Sequence, residues 1–430
     1  IELYNSKTTN NIDSLNQSAS KALNGGEINY LQYLLLLETV TQAKAELKQR
    51  SFDLCLTDMR LPDGNGLEML PKIAQDRPGL PVIVISAQNT IMTAIKAAEA
   101  EAYDYPAMFF EPQVHFIRRP QADPREISNA ASVINTAKKP LIISGGGVLY
   151  SEAAATLGDF AAKRHIPIVE TFAGKAAFPD SHPNYAGSLG IAGDACSNAI
   201  AEDADVVIAV GTKLQDFTTG SWALFKDPNL KLVTINTARW DATKQRATSV
   251  VADARVSLEQ IDSALGDYAA PADWLGRAQT EKQAWNAHLD DFGQAVSSPP
   301  AYNQVIQRVH QVCDDSDYIL SAAGGLPGEL FAGWRAKDPN TFDCEFGYSC
   351  MGYEIGGAVG AKMALPDRDV VSWVGDGSYL MMNSDIYASV LTGHKVIFIV
   401  SDNEGFAVIN RLQVAQGGEE FNNLLRTTKH

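Results

Sequence analysis

The chain has 430 residues, 45% hydrophobic and 20% charged, a composition that excludes collagen-like, wholly disordered and disulfide-rich proteins. Its 51 acidic residues outnumber 35 basic ones, and the formal net charge of −16 argues against nucleic acid or an anionic membrane as a partner. Five cysteines without CxxC spacing predict reduced thiols in a cytoplasmic protein. No apolar run approaches the roughly 20 residues of a membrane helix, and the start at Ile1, without a leader, suggests a trimmed or internal chain.

Residues 1–47 are predicted to form a helical segment. A helix over residues 28–45 is favoured by four leucines that lie near one helical face, namely Leu31, Leu34, Leu35 and Leu37. Gly25 and Gly26 interrupt two such helical stretches. Residues 16–45 resemble the long periplasmic helices of outer-membrane efflux proteins, and an ordinary amphipathic hairpin is the alternative.

Residues 48–105 alternate predicted strands, at 52–57 and 81–86, with predicted helices, at 67–75 and 90–99. A characteristic run follows the first of these strands: Asp58, Met59, Arg60, Leu61, Pro62, Asp63 and Gly64. This stretch resembles the receiver domains of response regulators.

The receiver resemblance implies that Asp58 is a phospho-acceptor and that Ser86 contacts the phosphoryl group. We nevertheless expect Asp58 to be inert, because two parts of the family's Mg²⁺ and phosphoryl site lack a counterpart. No first strand with paired acidic residues is evident before Phe52, and no Lys precedes Pro106. The segment is therefore predicted to be a partial receiver-like βα fragment, with a working receiver in a non-catalytic signalling chain as the alternative.

Residues 106–268 predict a doubly wound α/β domain with a parallel sheet, followed by a connecting helix and linker at 269–300. Its expected strands are at 140–144, 166–170, 205–210, 232–235 and 250–253. Gly145 and Gly147 fit the start of a dinucleotide-binding GxGxxG motif, but Tyr150 occupies the third glycine position. We therefore favour a tight structural turn at this position. The alternative is a dinucleotide site, in which Glu170 would be the acid that binds the ribose.

Residues 301–430 predict a second, partial α/β domain with a metal site. A buried strand at 369–374 leads into Gly375 and Asp376, and the next strand, at 396–401, leads into Asn403 and Gly405. Parallel strands bring their carboxyl ends to one edge of a sheet, where open α/β sheets bind ligands. The Asp376 carboxylate, the Asn403 amide and the Gly405 carbonyl offer the oxygen ligands that Mg²⁺ prefers beside a diphosphate.

This strand–GDG–helix–strand–DN pattern resembles the diphosphate-anchoring motif of thiamine-diphosphate-dependent enzymes, and the resemblance covers residues 101–430. It implies thiamine diphosphate and Mg²⁺ as cofactors. The residues that would line the diphosphate and thiazolium are Ala323, Gly324, Gly325, Leu326, Met351, Gly377, Ser378, Gly405 and Phe406. Met351 would wedge the cofactor into its bent shape.

Within this family, five stretches are most similar to hydrolases that open a cyclic, polyol-derived 1,2-diketone in inositol breakdown: 103–106, 214–222, 346–356, 376–384 and 406–413. The resemblance implies C–C bond cleavage, a small-molecule substrate and a homo-oligomer. An acetolactate synthase-like enzyme or a decarboxylase is the alternative. The Glu that activates the cofactor's aminopyrimidine in this family has no candidate here, so we expect a composite chain, with junctions near Leu47 and residues 99–101, that is inactive alone.

Overall fold

The computed structural model describes residues 118–427 together with short parts of the preceding chain: 34–37, 54–58, 60–61, 64–77, 80, 82–85 and 116. The chain divides into two compact units, Ile1–Phe116 and Ile117–His430. Among the described residues, no helix has the length and apolar character needed to cross a membrane.

The first unit contains a three-stranded parallel sheet in the order β1-β2-β5. The described elements are β1 (Leu34–Leu37), β2 (Leu54–Asp58), the hairpin strands β3 (Arg60–Leu61) and β4 (Gly64–Asn65), a 3₁₀ turn (Gly66–Met69), α1 (Leu70–Asp76) and β5 (Val82–Ile85). Asp58 ends β2 and pairs in register with Ile85 of β5. Leu70 and Ile73 of α1 are buried.

Strand β1 corrects one sequence prediction. The helix expected over residues 28–45 is wrong at Leu34–Leu37, where a strand instead pairs in parallel with β2, Leu34 lying opposite Leu54. The reason is that four consecutive leucines suit a parallel strand as well as a helical face, and a short apolar run does not separate the two. Ser86 and the predicted helix at 90–99 lie outside the described residues.

The second unit holds two parallel sheets. Sheet I has the order β11-β10-β9-β6-β7-β8, and sheet II has the order β13-β12-β14-β15. The strands of sheet I are β6 (Pro140–Ser144), β7 (Ile168–Glu170), β8 (Tyr185–Ser188), β9 (Val206–Val210), β10 (Lys231–Ile235) and β11 (Thr248–Val250). Those of sheet II are β12 (Tyr318–Ser321), β13 (Phe342–Cys344), β14 (Val370–Gly375) and β15 (Ile397–Ser401). The predicted α/β class with doubly wound parallel sheets is confirmed.

Helices connect the strands of both sheets. Around sheet I they are α2 (Pro124–Ile134), α3 (Gly146–Tyr150), α4 (Ala154–Arg164), α5 (Ala195–Asp203), α6 (Asp216–Thr219), α7 (Arg239–Ala242), α8 (Ala254–Ala264) and α9 (Ala272–Gln294). Around sheet II they are α10 (Tyr302–Val312), α11 (Leu326–Gly333), α12 (Tyr353–Ala364), α13 (Asp376–Met382), α14 (Ser384–Leu391) and α15 (Ala407–Ala415). Short 3₁₀ turns lie at Phe172–Gly174, Lys244–Arg246 and Leu425–Thr427.

Sheet I is covered on both faces, as its nearly continuous apolar strands predict. Ile142 belongs to one buried apolar cluster, and its neighbours Leu141 and Ile143 belong to the cluster on the opposite face. The strand predicted at 250–253 instead ends at Val250. Asp253 does not extend the strand because it is the N-cap of α8, where its side chain accepts a hydrogen bond from the backbone N–H of Val256.

A third apolar cluster lies between the two sheets and anchors sheet II. Trp373 of β14 is fully buried in it, together with Ile319 of β12 and Phe331 of α11. Phe172, which follows β7 of sheet I, stacks on Phe331 with ring centroids 3.9 Å apart. This stacking is part of the apolar contact between the two sheets.

Candidate cofactor and metal site

A cavity of about 290 Å³ lies at the carboxyl ends of β12, β14 and β15. The segments that line it are the loop after β12, the start of α13, and the loop that leads from β15 into α15. Every residue that the sequence predicted for the cofactor or the metal is in its wall: Ala323, Gly324, Gly325, Leu326, Met351, Asp376, Gly377, Ser378, Asn403, Gly405 and Phe406. The cavity forms where strand order reverses around β12, the usual ligand position in open α/β sheets.

Asp376 joins two walls of this cavity. The buried strand β14 delivers it to the first position of α13, and its Oδ2 accepts the backbone N–H of Gly405 at 2.6 Å. Its Oδ1 is buried without a hydrogen-bond partner among the described residues. Burial raises the pKa of this carboxyl group above its ordinary value. A carboxylate oxygen in such surroundings carries a desolvation cost that a bound cation would offset.

Asn403 presents a second oxygen of the same kind. Its Nδ2 donates to the hydroxyl oxygen of Tyr302 at 2.6 Å, and its Oδ1 is buried with no partner in the described part of the chain. Native structures rarely leave buried polar atoms unpaired, so a ligand or ion often explains them. The two unpaired oxygens fit a hard divalent cation held by Asp376 and Asn403.

Glycine positions shape the cavity floor. A Cβ built on Gly377 would lie 2.6 Å from the Phe406 ring and 3.3 Å from the Met351 methyl carbon, so these two side chains cover Gly377 closely. At Gly324 and Gly375, by contrast, a Cβ would meet nothing within 4 Å. Bare backbone therefore faces open space at the carboxyl ends of β12 and β14, where a diphosphate could approach closely.

Glu354 is a site residue whose role sequence reasoning missed. It is fully buried in the first turn of α12, where Oε1 accepts the N–H of Ala323 and Oε2 accepts the N–H of Gly352. One carboxylate thus fixes both the loop after β12 and the turn beside Met351. The only available signal was an acidic residue at a helix start, which is too common to identify such a role.

Tyr302 and Arg411 also line the cavity and were not predicted to do so. Arg411 and Asp376 are the two charged side chains of the lining. Nη2 of Arg411 would lie 3.0 Å from a Cβ at Gly325, and the guanidinium charge also acts on the carboxyl group of Glu329. The cavity therefore combines one carboxylate and one guanidinium, a charge distribution suited to a ligand with anionic groups and an accompanying cation.

Histidine and cysteine contribute nothing to this site. Within residues 118–427 and the shorter described ranges, no three His, Cys, Asp or Glu side chains come together as a metal cluster. The candidate metal position instead rests on one carboxylate, one amide oxygen and the nearby backbone at Gly405, a set typical of Mg²⁺ rather than of zinc.

Comparison with known protein families defines the class. Residues 127–261 match the family model of the thiamine pyrophosphate enzyme central domain, and residues 323–428 match that of the C-terminal TPP binding domain. Thus the second unit carries the central and C-terminal domains of thiamine-diphosphate enzymes. Residues 22–107 match the response regulator receiver domain, and this match begins inside the segment predicted to resemble efflux proteins, for which the comparisons give no support.

Individual relatives narrow the comparison further. The chain is 42% identical over 347 residues to a 3D-(3,5/4)-trihydroxycyclohexane-1,2-dione hydrolase of Geobacillus thermodenitrificans, an alignment that covers 75% of this chain and 54% of the relative. The proteins of the same name from Clostridium perfringens and Bacillus anthracis are 38% and 36% identical, covering 74% and 75% of this chain and 54% of each relative. The chain therefore spans about half the length of the curated relatives it matches.

Proposed function

We propose that the second unit binds thiamine diphosphate with Mg²⁺ and belongs to a hydrolase that cleaves a C–C bond of trihydroxycyclohexane-1,2-dione, giving 5-deoxy-glucuronate in inositol catabolism. The relatives carry that hydrolase name, and the sequence motifs favour it over an acetolactate synthase-like enzyme or a decarboxylase. The working protein would be a cytoplasmic homo-oligomer that acts on a small molecule.

One observation carries the cofactor part of this proposal. The buried Oδ1 atoms of Asp376 and Asn403 have no partner among the described residues, and both residues line the same cavity. Asp376 would balance one of the two charges of a divalent cation bound there, and the remaining charge would offset the negative charge of a diphosphate. Since Mg²⁺ retains positions for substrate phosphate and water, two or three protein ligands are sufficient.

The remaining residues would bind and orient the cofactor. Gly377 and Ser378 at the start of α13, and the loop of Gly324 and Gly325, would contact the diphosphate through backbone groups. Met351 and Phe406, which already meet over Gly377, would give the thiazolium an apolar wall. When bound, thiamine diphosphate supplies an electron sink for cleavage of a bond next to a carbonyl.

The test is cofactor binding by isothermal titration calorimetry, with and without Mg²⁺. We expect thiamine diphosphate to bind only with the divalent cation, and Asp376→Ala to abolish binding, because the diphosphate charge is then left uncompensated in a partly desolvated cleft. Asp367→Ala is the matched control, because Asp367 is an exposed carboxylate of the loop before β14 that does not line the cavity.

Two results would contradict the proposal. One is equal affinity for wild type and Asp376→Ala, with thermal unfolding showing that both are folded. The other is binding by wild type that does not change when Mg²⁺ is removed with a chelator.

The receiver-like segment does not enter this proposal. Its parallel sheet places Asp58 at the carboxyl end of β2, where a receiver phospho-acceptor would lie. The expectation that Asp58 is inert stays a prediction. Its basis is that the acidic pair and the Lys of the family's phosphoryl site lack evident counterparts in the sequence.

A further inference from the structure

The amide group of Asn403 has two ends of similar shape and opposite chemistry. Its oxygen accepts hydrogen bonds or binds cations, whereas its nitrogen only donates. Here the nitrogen donates to Tyr302 and the oxygen is the buried, unpartnered atom. If the amide were turned over, the NH₂ group would take the place of the oxygen and would repel a cation.

We propose that Tyr302 is a positioning residue for the metal site: its hydroxyl oxygen accepts a hydrogen bond from Nδ2 of Asn403 and so holds the amide in place while Oδ1 faces the cation. This inference rests on the proposed function, because it assumes that a divalent cation binds beside Asp376 and Asn403. Tyr302 itself touches neither cation nor substrate in this scheme and acts through Asn403.

Tyr302 is well placed for such a role because the start of α10 is fixed. The side chain of Gln304 accepts the N–H of Ala301 at 2.9 Å and closes the first turn of the helix. In the next turn, Ile306 is fully buried, and Gln307 donates to the carbonyl oxygen of Gly333 at the end of α11. The phenol oxygen of Tyr302 is therefore held in place and has little freedom to shift if the Asn403 amide rotates.

The same geometry separates the role of the hydroxyl from that of the ring. The Tyr302 ring packs against the apolar cluster of Trp373 and Phe331, and Tyr302→Phe keeps this ring while removing only the oxygen. The Asn403 amide would then lose the hydroxyl contact that holds it in place. Partners that orient metal ligands in this manner typically contribute a 10- to 100-fold effect on metal affinity.

The experiment measures Mg²⁺ affinity by calorimetric titration in the presence of saturating thiamine diphosphate, with Mn²⁺ binding followed by electron paramagnetic resonance as a second readout. We expect Tyr302→Phe to weaken metal affinity by at least about 10-fold. Tyr353→Phe is the matched control, since it loses a comparable hydroxyl contact, 2.7 Å to Asp343 Oδ2, that lies outside the cavity lining.

Each outcome decides between the two proposals. Unchanged metal affinity in Tyr302→Phe, or an equal loss in Tyr353→Phe, overturns the role of Tyr302 and leaves the proposed cofactor site intact. Wild-type protein that binds thiamine diphosphate without any divalent cation overturns the proposed function, and the inference about Tyr302 falls with it.

Discussion

In sheet I the loops after β6 and β9 pack directly on each other, whereas in sheet II the loops after β12 and β14 leave a cavity between them. Both positions are points where strand order reverses, so both could have held a ligand. In sheet I the backbone N–H of Gly147 donates to the carbonyl oxygen of Gly211, and that of Gly145 donates to Val210. These bonds close the crevice in which a dinucleotide would have bound.

Glycine therefore serves opposite purposes in the two sheets. A Cβ on Gly145 would lie 2.4 Å from the carbonyl oxygen of Gly211, and one on Gly147 would lie 2.6 Å from its Cα. In sheet II, a Cβ on Gly375 would meet nothing within 4 Å. The absence of a side chain permits loop-to-loop packing in the first case and leaves room for a ligand in the second.

The acidic residues at these strand ends also differ, in how completely their carboxylate oxygens are hydrogen-bonded within the protein. Glu170, at the end of β7, is fully buried, and its two oxygens accept the N–H groups of Ala176 and Phe178. Asp376, just after β14, uses one oxygen within the protein and leaves the other unpaired among the described residues. We interpret a buried carboxylate with both oxygens hydrogen-bonded as structural. A carboxylate with one buried oxygen left without a hydrogen bond indicates a binding site.

The first prediction concerns the closed crevice of sheet I. Gly145→Ala should destabilise the protein by about 1–3 kcal/mol, because its methyl group would collide with backbone that has no room to move. Gly375→Ala is the control and should leave stability within about 0.5 kcal/mol of wild type. Urea denaturation of both variants measures the difference, and equal stabilities would remove the contrast between the two sheets.

The second prediction concerns pH. Burial raises the pKa of Glu170 from its ordinary 4.5 to about 7, and the nearby Lys175 charge only partly opposes this shift. Between these values the folded protein holds a proton that the unfolded chain has lost, so stability should fall as pH rises from about 4.5 to 7. At 1.36 kcal/mol per pKa unit the loss is on the order of 2–3 kcal/mol.

Urea midpoints measured at pH 5 and pH 7 check this sign. The fall in stability between these pH values should be smaller in Glu170→Gln than in wild type, while Glu419→Gln, at an exposed position, should leave it unchanged. An identical fall in wild type and Glu170→Gln would show that another group is responsible.

The smallest expected effect compares one apolar strand position from each sheet. Ile208 of β9 is fully buried, and Ile397 of β15 is 37% exposed. Ile→Val should cost about 0.5–1.5 kcal/mol at Ile208, and distinctly less at Ile397, where the space can be filled by solvent. Thermal unfolding of the two variants provides the comparison. A larger cost at Ile397 would mean that β15 is better covered than its exposure indicates.

Sequence reasoning located most of the fold because apolar strands and glycine turns are local signals. It found β6 exactly where it lies and placed Asp376 and Asn403 at neighbouring strand ends. It failed at β1, where four leucines fit two periodicities equally well, and at the end of β11, where Asp253 caps a helix instead of extending a strand.

Sequence reasoning predicted the site residues that lie in the loops at the strand ends, but not those contributed by other segments. Asp376, Asn403 and the glycines belong to a short recognisable pattern, so their shared cavity could be expected. Tyr302 lies about 100 positions before Asn403 and meets it only because α10 packs beside sheet II. Such a contact between distant segments leaves no trace in local composition or spacing.

The exposed apolar side chains around strand β15 have a consequence for the purification of this protein. It lies at one edge of the described part of sheet II, and between residues 380 and 400 eight large apolar side chains are at least 37% exposed: Leu380, Met381, Met382, Tyr387, Val390, Leu391, Ile397 and Val400. Apolar association strengthens in sulfate and weakens on cooling. The purified chain should therefore be retained on hydrophobic resin in ammonium sulfate, and it should stay best dispersed in the cold at low ionic strength.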